Sequence, residues 1–214
     1  MACRSPRGEH DRARGRRPEI LDAALAVFSS SGFHGGSLRD IARRAGLSQA
    51  GLLHHFPSKE HLLRAVLARR DDVVRRQLGE PVPDGLDLVR RLAALPAVTR
   101  TRELVRLHVI TSAEGVMASY PVHGYVRQRQ RSVLEMVSQA LERAATHGDL
   151  RGDVDCAGTA RTLVALMDGL QVQWLLDPEQ TDIADDLRRC LQPLLAADPE
   201  GRGLTKTDRV ISLF

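Results

Sequence analysis

Apolar residues recur at helical spacing along most of this chain, and this periodicity constrains the fold more than any other feature of the sequence. Within residues 18–32 they occupy positions 20, 21, 24, 25 and 28, which lie on one face of a helix. The sequence lacks the alternating runs of β-branched and aromatic residues that predict strands, and aromatic residues make up only 3% of it. We therefore predict an all-α protein.

Glycine, proline and capping residues divide the periodic sequence into about nine helices. Pro18 suits the first turn of the first helix, and Ser31-Gly32 is its stop signal. The segment 79–85, which is rich in proline and glycine, predicts a linker or a tight corner. The predicted helices cover approximately residues 18–31, 38–45, 49–56, 59–78, 85–95, 100–118, 121–147, 155–176 and 181–197.

The chain of 214 residues has a formal net charge of +4, and the location of this charge is informative. Residues 1–60 contain ten basic and six acidic residues, whereas the two kinds are equal in number in residues 61–214. This excess predicts a polyanion-binding surface near the N-terminus, with nucleic acid as the leading candidate. The alternative is a solvated basic tail, because the arginines of residues 4–17 lie among glycine, proline and serine.

Several classes of protein are disfavoured by motifs that the sequence lacks. Cys3, Cys156 and Cys190 are isolated and form no metal-ligand spacing, so we expect reduced thiols, no metal site and no structural disulfide. No apolar run approaches the ~18 residues that span a bilayer, and the N-terminus lacks a signal-peptide core, so we expect a cytoplasmic protein with no membrane partner. Catalytic serine, phosphate-binding and dinucleotide motifs are absent, so we expect neither an enzyme nor a cofactor.

Two short predicted helices meet at a glycine turn within residues 37–56. Ser37 is suited to cap the first helix with Asp40 as its capping-box partner, and Gly46 is suited to end it with a positive φ. Ser48 is suited to cap the second helix. The pair has the size and turn chemistry of a helix-turn-helix, whose second helix enters the major groove of DNA, although similar pairs occur in proteins that do not bind DNA.

The residues around this turn carry a specific resemblance. Residues 37–48 (SLRDIARRAGLS) and 52–63 (LLHHFPSKEHLL) resemble the DNA-binding signature of TetR-family transcriptional regulators, and the strong match covers about residues 17–67. Residues 147–151 (HGDLR) and 168–170 (DGL) resemble, more loosely, a subset common in actinobacterial regulators.

The resemblance implies a nucleoid-associated homodimer that binds a near-palindromic operator in double-stranded DNA and responds to a small molecule. Repression is the family's usual mode, and the alternatives are activation or a helical scaffold without operator specificity. The implied organisation is a flexible basic arm (1–16), a helix-turn-helix domain (17–60), an effector-binding and dimerisation domain (61–197) and a C-terminal tail (198–214).

The residues expected to contact DNA follow from the resemblance and from side-chain chemistry. The amide of Gln49 can pair with adenine, Arg39 can reach guanine, and Ala50 can touch a thymine methyl group. For Gln49 and Arg39 the alternative is phosphate contact or simple solvation. The expected set, which includes phosphate-positioning residues, is Ser37, Arg39, Ser48, Gln49, Ala50, Gly51, Leu53, His54, His55 and Lys59, with Arg14, Arg16 and Arg17 from the arm.

Three residues depart from the family pattern. Gly51 stands where the family more often has a larger polar residue, and Leu53 stands where a tyrosine hydroxyl commonly binds phosphate. His61 replaces a glutamate that would complete the cap at Ser58, so we expect the fourth helix to begin with a weaker cap.

The second half of the chain predicts a ligand pocket and a dimer interface, with plain core as the alternative for each residue. Aliphatic walls with few charges favour a hydrophobic or aromatic effector. The predicted pocket residues are His108, Thr111, Met117, Tyr120, Tyr125, Met136, Met167 and Trp174. The predicted interface residues, which lie on the last two helices, are Leu163, Leu166, Gly169, Leu170, Leu187 and Leu191.

Overall fold

The computed structural model describes residues 6–79, 83–98 and 102–196, and the predicted C-terminal tail lies outside them. The described residues form nine α-helices and one short 3-10 helix, with no strand beyond a single bridge between Leu150 and Leu195. The all-α prediction is therefore confirmed. The helices are α1 (Pro6–Gly35), α2 (Leu38–Arg44), α3 (Gln49–His55), α4 (Lys59–Leu78), α5 (Gly85–Val98), α6 (Arg102–Glu114), α7 (His123–Thr146), α8 (Cys156–Leu176) and α9 (Ile183–Leu191), followed by the 3-10 helix Gln192–Leu194.

Helix α1 differs from its prediction at the N-terminal end. It begins at Pro6, so Pro18 lies inside the helix, and residues 6–16, which were predicted as part of a flexible arm, have a helical backbone. Arginine, which recurs in this segment, is a good helix former and favours extension of the helix before the proline. The predicted stop is present, because Gly32 has a φ of 65° and interrupts the helical backbone.

The chain divides into two compact units. The first combines Met1–Asp71 with Glu103–Val126, and the second combines Asp72–Arg102 with Arg127–Phe214. The division falls within α4, and most of α6 belongs with the N-terminal helices, whereas the sequence predicted a boundary near residue 60. The difference arises because α6 buries Leu107 in the N-terminal core, a long-range contact that helical periodicity does not reveal.

The core of the first unit is built from the apolar faces of α1, α2, α3 and the beginning of α4. On α1, Ile20, Ala24 and Phe28 are buried at the predicted spacing. Helices α2 and α3 have seven residues each, too few to be stable alone, so their positions depend on this core. Its other members include Ile41, Ala42, Leu52, Phe56, Leu62, Leu63, Leu107, Tyr120 and Val122.

The second unit packs α5, α7, α8 and α9 around separate apolar clusters. Helix α9 contributes one stripe of buried residues, Ile183, Leu187 and Leu191, which recur every four positions. This stripe lies against α5 and α8. The largest cluster includes Leu88, Val89, Leu92, Val137, Ala140, Leu141, Ala144, Leu163, Val164 and Leu191.

The turn between α2 and α3 has the predicted geometry. Gly46 has a φ of 66°, and the N–H of Leu47 donates to the carbonyl of Ala42 at 2.8 Å, which ends α2. Ser48 then begins α3, because its Oγ accepts the N–H of Gly51 at 3.1 Å. The relative orientation of α2 and α3 therefore depends on the left-handed backbone of Gly46 and on the two hydrogen bonds that end α2 and begin α3.

We expect Gly46→Ala to lower the free energy of unfolding by about 1–2 kcal/mol, because a β-carbon is strained at this positive φ. Urea denaturation followed by circular dichroism measures this change. Gly124→Ala is the matched control, since Gly124 lies in α7 with open space around its Cα, and it should leave stability unchanged or slightly raised. An equal loss in both variants would contradict the role assigned to the turn.

Candidate functional site

The N-terminus of α2 is capped by Ser37, as predicted. Its Oγ accepts the backbone N–H groups of Arg39 at 3.2 Å and Asp40 at 3.4 Å. The carboxylate of Asp40 pairs with Arg43 at 2.6 Å instead of completing a capping box. The side chain of Arg39 is exposed at the beginning of this fixed helix.

Helix α3 has one face in the core and the opposite face in solvent. Leu52 and Phe56 are buried, whereas Gln49, Ala50 and His54 are exposed. The remaining predicted contact residues of the helix, Gly51, Leu53 and His55, are half-buried. The exposed face of α3 therefore presents one amide, one methyl group and one imidazole, with Gln49 in the first turn after the Ser48 cap.

Four basic side chains gather where α1 meets α3, and we call them the basic cluster: Arg16, Arg17, His54 and His55. The Arg17 guanidinium lies 4.5 Å from the centre of the Phe56 ring, and the two imidazole rings are 5.8 Å apart. Partial burial lowers the pKa of His55, and the charges of His54, Arg17 and Arg16 lower it further. This concentration of positive charge is suited to bind phosphate. Arg14 lies outside the residues whose side chains are described.

Lys59 is engaged within the chain. Its Nζ lies 4.6 Å from the centre of the Phe33 ring and donates to the carbonyl of His34 at 3.4 Å. Partial burial lowers the pKa of Lys59, and the nearby Glu114 carboxylate acts in the opposite direction. The ammonium group therefore holds the end of α1 against the beginning of α4, a role that sequence reasoning did not assign to it.

At the beginning of α4, where we expected a weaker cap, Ser58 caps the helix and the side chain of His61 contacts Ser58. The Ser58 Oγ accepts the backbone N–H of His61 at 3.2 Å, and it lies 2.8 Å from the His61 Nδ1. The imidazole therefore contacts the hydroxyl group of the capping residue, whereas a capping-box glutamate accepts the backbone N–H of that residue.

Glu114, the last residue of α6, was missed by sequence reasoning. Its Oε2 accepts the backbone N–H of Phe33 at 3.2 Å, and its other oxygen lies against Gly32, where a β-carbon would collide with it. Burial, together with this carboxylate, raises the pKa of Tyr120 well above its usual range. A negative charge at a helix C-terminus interacts unfavourably with the helix dipole. The position of Glu114 at the end of a predicted helix was therefore the signal in the sequence that its carboxylate has a partner elsewhere.

The predicted pocket residues do not line one common cavity. Tyr120 belongs to the core of the first unit, where its ring lies 5.9 Å from that of Phe33. In the same unit, Thr111 Oγ1 donates to the carbonyl of Leu107 at 2.7 Å, and the Tyr125 hydroxyl donates to Asp71 at 2.5 Å. His108 is buried in α6, Met117 is exposed, and Met136, Met167 and Trp174 are half-buried in the second unit.

A cleft of about 300 Å³, its open mouth included, lies within the second unit. Met167 is a predicted pocket residue that lines it, whereas Leu163, Leu187 and Leu191 were predicted for the dimer interface. The complete lining is Val89, Leu92, Val137, Leu163, Val164, Met167, Leu187 and Leu191.

Most of the predicted interface residues are buried within the chain itself. Leu163, Leu170, Leu187 and Leu191 are at most 8% exposed and pack in the apolar clusters of the second unit, which corrects their assignment. Leu166 is half-buried and Gly169 is exposed. The apolar face that α8 leaves open consists of Ala165, Gly169, Val172 and Leu176, and we call it the α8 stripe.

The side chains that the structure describes include no group of three or more His, Cys, Asp or Glu residues able to hold a metal ion. In the same part of the chain, every helix is too short or too polar to cross a bilayer.

Two family models match the chain. The model for bacterial regulatory proteins of the tetR family matches residues 20–66, and the model for the C-terminal domain of BetI-type transcriptional repressors matches residues 91–197. With the helix-turn-helix described above, these matches show that the chain belongs to the TetR family of bacterial transcriptional regulators. It is therefore a DNA-binding regulator of transcription and not an enzyme.

Individual relatives agree with this assignment. The chain is 31% identical to the transcriptional regulator UidR of Escherichia coli K12 over 78% of this chain and 84% of the relative. It is 28% identical to the regulator TtgR of Pseudomonas putida, over 84% and 89% of the two chains. The complex of the Stenotrophomonas maltophilia repressor SmeT with triclosan superposes with a TM-score of 0.70 at 26% identity, covering 86% of this chain and 93% of SmeT.

We expect Glu114→Ala to lower the free energy of unfolding by about 1–2 kcal/mol, because the half-buried Phe33 N–H loses its acceptor. Urea denaturation measures this change. Glu135→Ala, at an exposed position in α7, is the matched control and should change stability by less than about 0.5 kcal/mol. If both variants lose the same amount, the Glu114 contacts do not hold the end of α6 to α1.

Proposed function

We propose that this protein is a homodimeric repressor that binds a near-palindromic operator and releases it when a small-molecule effector binds. The observation that carries the proposal is the exposed first turn of α3, where Gln49 and Ala50 project from a capped helix beside the basic cluster. A rigid helix end with an amide and adjacent positive charge is suited to enter the major groove.

Base readout is assigned to two helices. Gln49 presents both a donor and an acceptor and can bind adenine N6 and N7 with two hydrogen bonds. Arg39, exposed at the beginning of α2, can bind guanine O6 and N7. The exposed methyl group of Ala50 can contact a thymine methyl group. Because Gly51 has no side chain that could contact a base, we assign most of the sequence specificity in each half-site to Gln49 and Arg39.

Phosphate contact is assigned to the basic cluster and to the capped helix N-termini at Ser37 and Ser48. Partial burial and the neighbouring positive charges lower the pKa of His55, and a phosphate beside it would favour the charged form. Leu53 lacks a hydroxyl group and is half-buried, so it is assigned to packing against the groove wall. Lys59 reaches a phosphate only by leaving the Phe33 ring.

Dimerisation is assigned to the α8 stripe. Its members recur at spacings of four, three and four residues, and two of them, Val172 and Leu176, are 41% and 80% exposed. Such exposure of large apolar side chains on one helix face is typical of an interaction surface. Ala165 and Gly169 are small and permit close approach of a second helix. A two-fold dimer presents two recognition helices about one DNA turn, ~34 Å, apart, which requires a near-palindromic operator.

Repression and effector response are supported by the relatives. The C-terminal family model describes repressors, and SmeT is described both as the repressor of an efflux pump and in a complex with triclosan. An effector releases the operator only if it binds better to the conformer that does not fit DNA. The effector-binding part of this chain is assigned to the second unit, which contains the apolar cleft.

Selection of bound fragments from genomic DNA tests operator binding, and Gln49→Ala tests its chemistry. We expect the ratio of operator to random-DNA affinity to fall roughly tenfold in this variant, because an adenine loses two hydrogen bonds. Fluorescence anisotropy with both DNAs measures the ratio. Gln128→Ala, at an exposed position in α7, is the control and should retain the ratio. Equal weakening on both DNAs by Gln49→Ala would assign Gln49 to phosphate contact instead.

Val172→Glu tests the dimer face. A carboxylate in the centre of the α8 stripe should shift the protein from dimer to monomer, because an unpaired charge is costly to bury in an interface. Sedimentation velocity measures the shift, and operator affinity should fall with it. Val116→Glu places the same charge at a 79% exposed valine of the first unit and should leave the dimer intact. If the Val172→Glu protein remains fully dimeric, the dimer interface does not lie on the α8 stripe.

A further inference from the structure

The ammonium group of Lys59 is held at the end of α1 by two contacts. Its Nζ lies 4.6 Å from the centre of the Phe33 ring and donates to the carbonyl oxygen of His34 at 3.4 Å. Each contact is weak by itself, because a cation over a partly exposed ring gains little and the hydrogen bond is long. The position of the ammonium group is therefore sensitive to the charges around it.

Glu114 supplies a fixed negative charge beside these contacts. Its Oε2 accepts the N–H of Phe33 at 3.2 Å, and its Oε1 lies in the space that a β-carbon would fill at Gly32. Partial burial lowers the pKa of Lys59 and the Glu114 carboxylate raises it, so the carboxylate attracts the ammonium group. Since Glu114 is half-buried, this attraction is screened less than that of a surface pair.

Lys59 also lies beside the surface assigned to phosphate. It is the first residue of α4 and follows closely on His55, the last residue of α3 and a member of the basic cluster. Its side chain is half-exposed and has a flexible four-carbon stem, so rotation about its bonds can carry the ammonium group from the Phe33 ring into solvent. Lys59 thus has two alternative partners, which are the end of α1 and a DNA phosphate.

We propose that Glu114 is a positioning residue that keeps Lys59 out of the DNA interface. By fixing a carboxylate beside Phe33, it retains the ammonium group within the first unit, and each subunit binds DNA with one phosphate contact fewer than its basic residues allow. The inference rests on the DNA-binding surface proposed above and adds a residue outside that surface that sets its affinity for phosphate.

The retention of Lys59 affects all DNA sequences in a similar way. A phosphate contact carries no sequence information, whereas it strengthens binding to operator and random DNA alike. Withholding one such contact keeps non-specific binding weak and leaves base readout by Gln49 and Arg39 unchanged. Less of the protein is then held on the many competing non-specific sites.

The rarity of lysine makes this side chain directly observable. The sequence contains only Lys59 and Lys206, so protein grown with isotope-labelled lysine gives two sets of lysine NMR signals, and Lys59→Met identifies those of Lys59. A methylene group beside the face of an aromatic ring resonates upfield. We expect an upfield shift of the Lys59 signals in the wild-type protein and a smaller one in Glu114→Gln, because the ammonium group leaves the ring more often.

The salt dependence of DNA binding measures the phosphate contacts themselves. Glu114→Gln keeps an acceptor for the Phe33 N–H and removes only the charge. By fluorescence anisotropy with a random duplex, we expect the slope of log affinity against log salt to steepen by about 0.9 for each lysine that reaches a phosphate, and the affinity at low salt to rise about threefold. Glu135→Gln removes the same charge at an exposed position in α7 and should leave the slope unchanged.

Lys59→Met separates this positioning role from a change in the fold. Methionine can pack on the Phe33 ring but cannot bind phosphate. We expect Lys59→Met to remove the added slope in the Glu114→Gln background and to have a smaller effect in the wild-type background. The proposal is overturned by an unchanged slope in Glu114→Gln, by an added slope that survives Lys59→Met, or by an equal effect of Lys59→Met in both backgrounds.

Phe33→Leu decides the matter if Glu114→Gln fails to fold. It removes the aromatic face and keeps the backbone N–H that Glu114 accepts, so it should also steepen the slope, and a wild-type slope would then overturn the proposal. The proposed function fails separately, because these measurements use random DNA. If no operator is selected from genomic DNA, the proposed function is wrong, whereas the salt slopes still decide the role of Glu114.

Discussion

The burial of Leu52 and Phe56 beneath α3 is the contact on which the rest of the DNA-binding surface depends. A seven-residue helix has little stability of its own, so this apolar contact holds it and sets its rotation about its axis. The rotation directs Gln49 and Ala50 into solvent and brings the Phe56 ring beneath the Arg17 guanidinium. A hydrophobic contact thus decides which polar groups are offered to a nucleic acid.

The end of α1 is joined to α6 and to α4 by a small set of polar contacts. Glu114 accepts the N–H of Phe33, and Lys59 lies over the Phe33 ring and donates to the carbonyl of His34. Tyr120 packs on the same ring from another side. Lys59 was predicted to contact phosphate and Tyr120 to line a pocket. Both residues instead pack against Phe33 within the first unit. Their chemistry suits either role, and only their neighbours select one.

In the second unit α8 has apolar residues on opposite faces, and this explains why the interface leucines were assigned to the wrong side. Leu163 and Leu170 face the chain's own core, whereas Gly169 and Val172 face outward. When both faces of a helix are apolar, helical spacing identifies the faces but does not say which one the monomer buries. The packing of α9 against α5 and α8 makes that choice.

The sequence by itself determined the all-α class, the glycine turn at Gly46, the caps at Ser37 and Ser48 and the family, because these depend on residues close together in the chain. Only the tertiary structure decided that α6 belongs with the N-terminal helices and that the cleft has a purely apolar lining. Leu107 and Glu114 meet α1 across a large separation in sequence, and such contacts leave no periodic pattern. Local propensity specifies where helices begin and end, whereas burial between distant segments specifies what each face contacts.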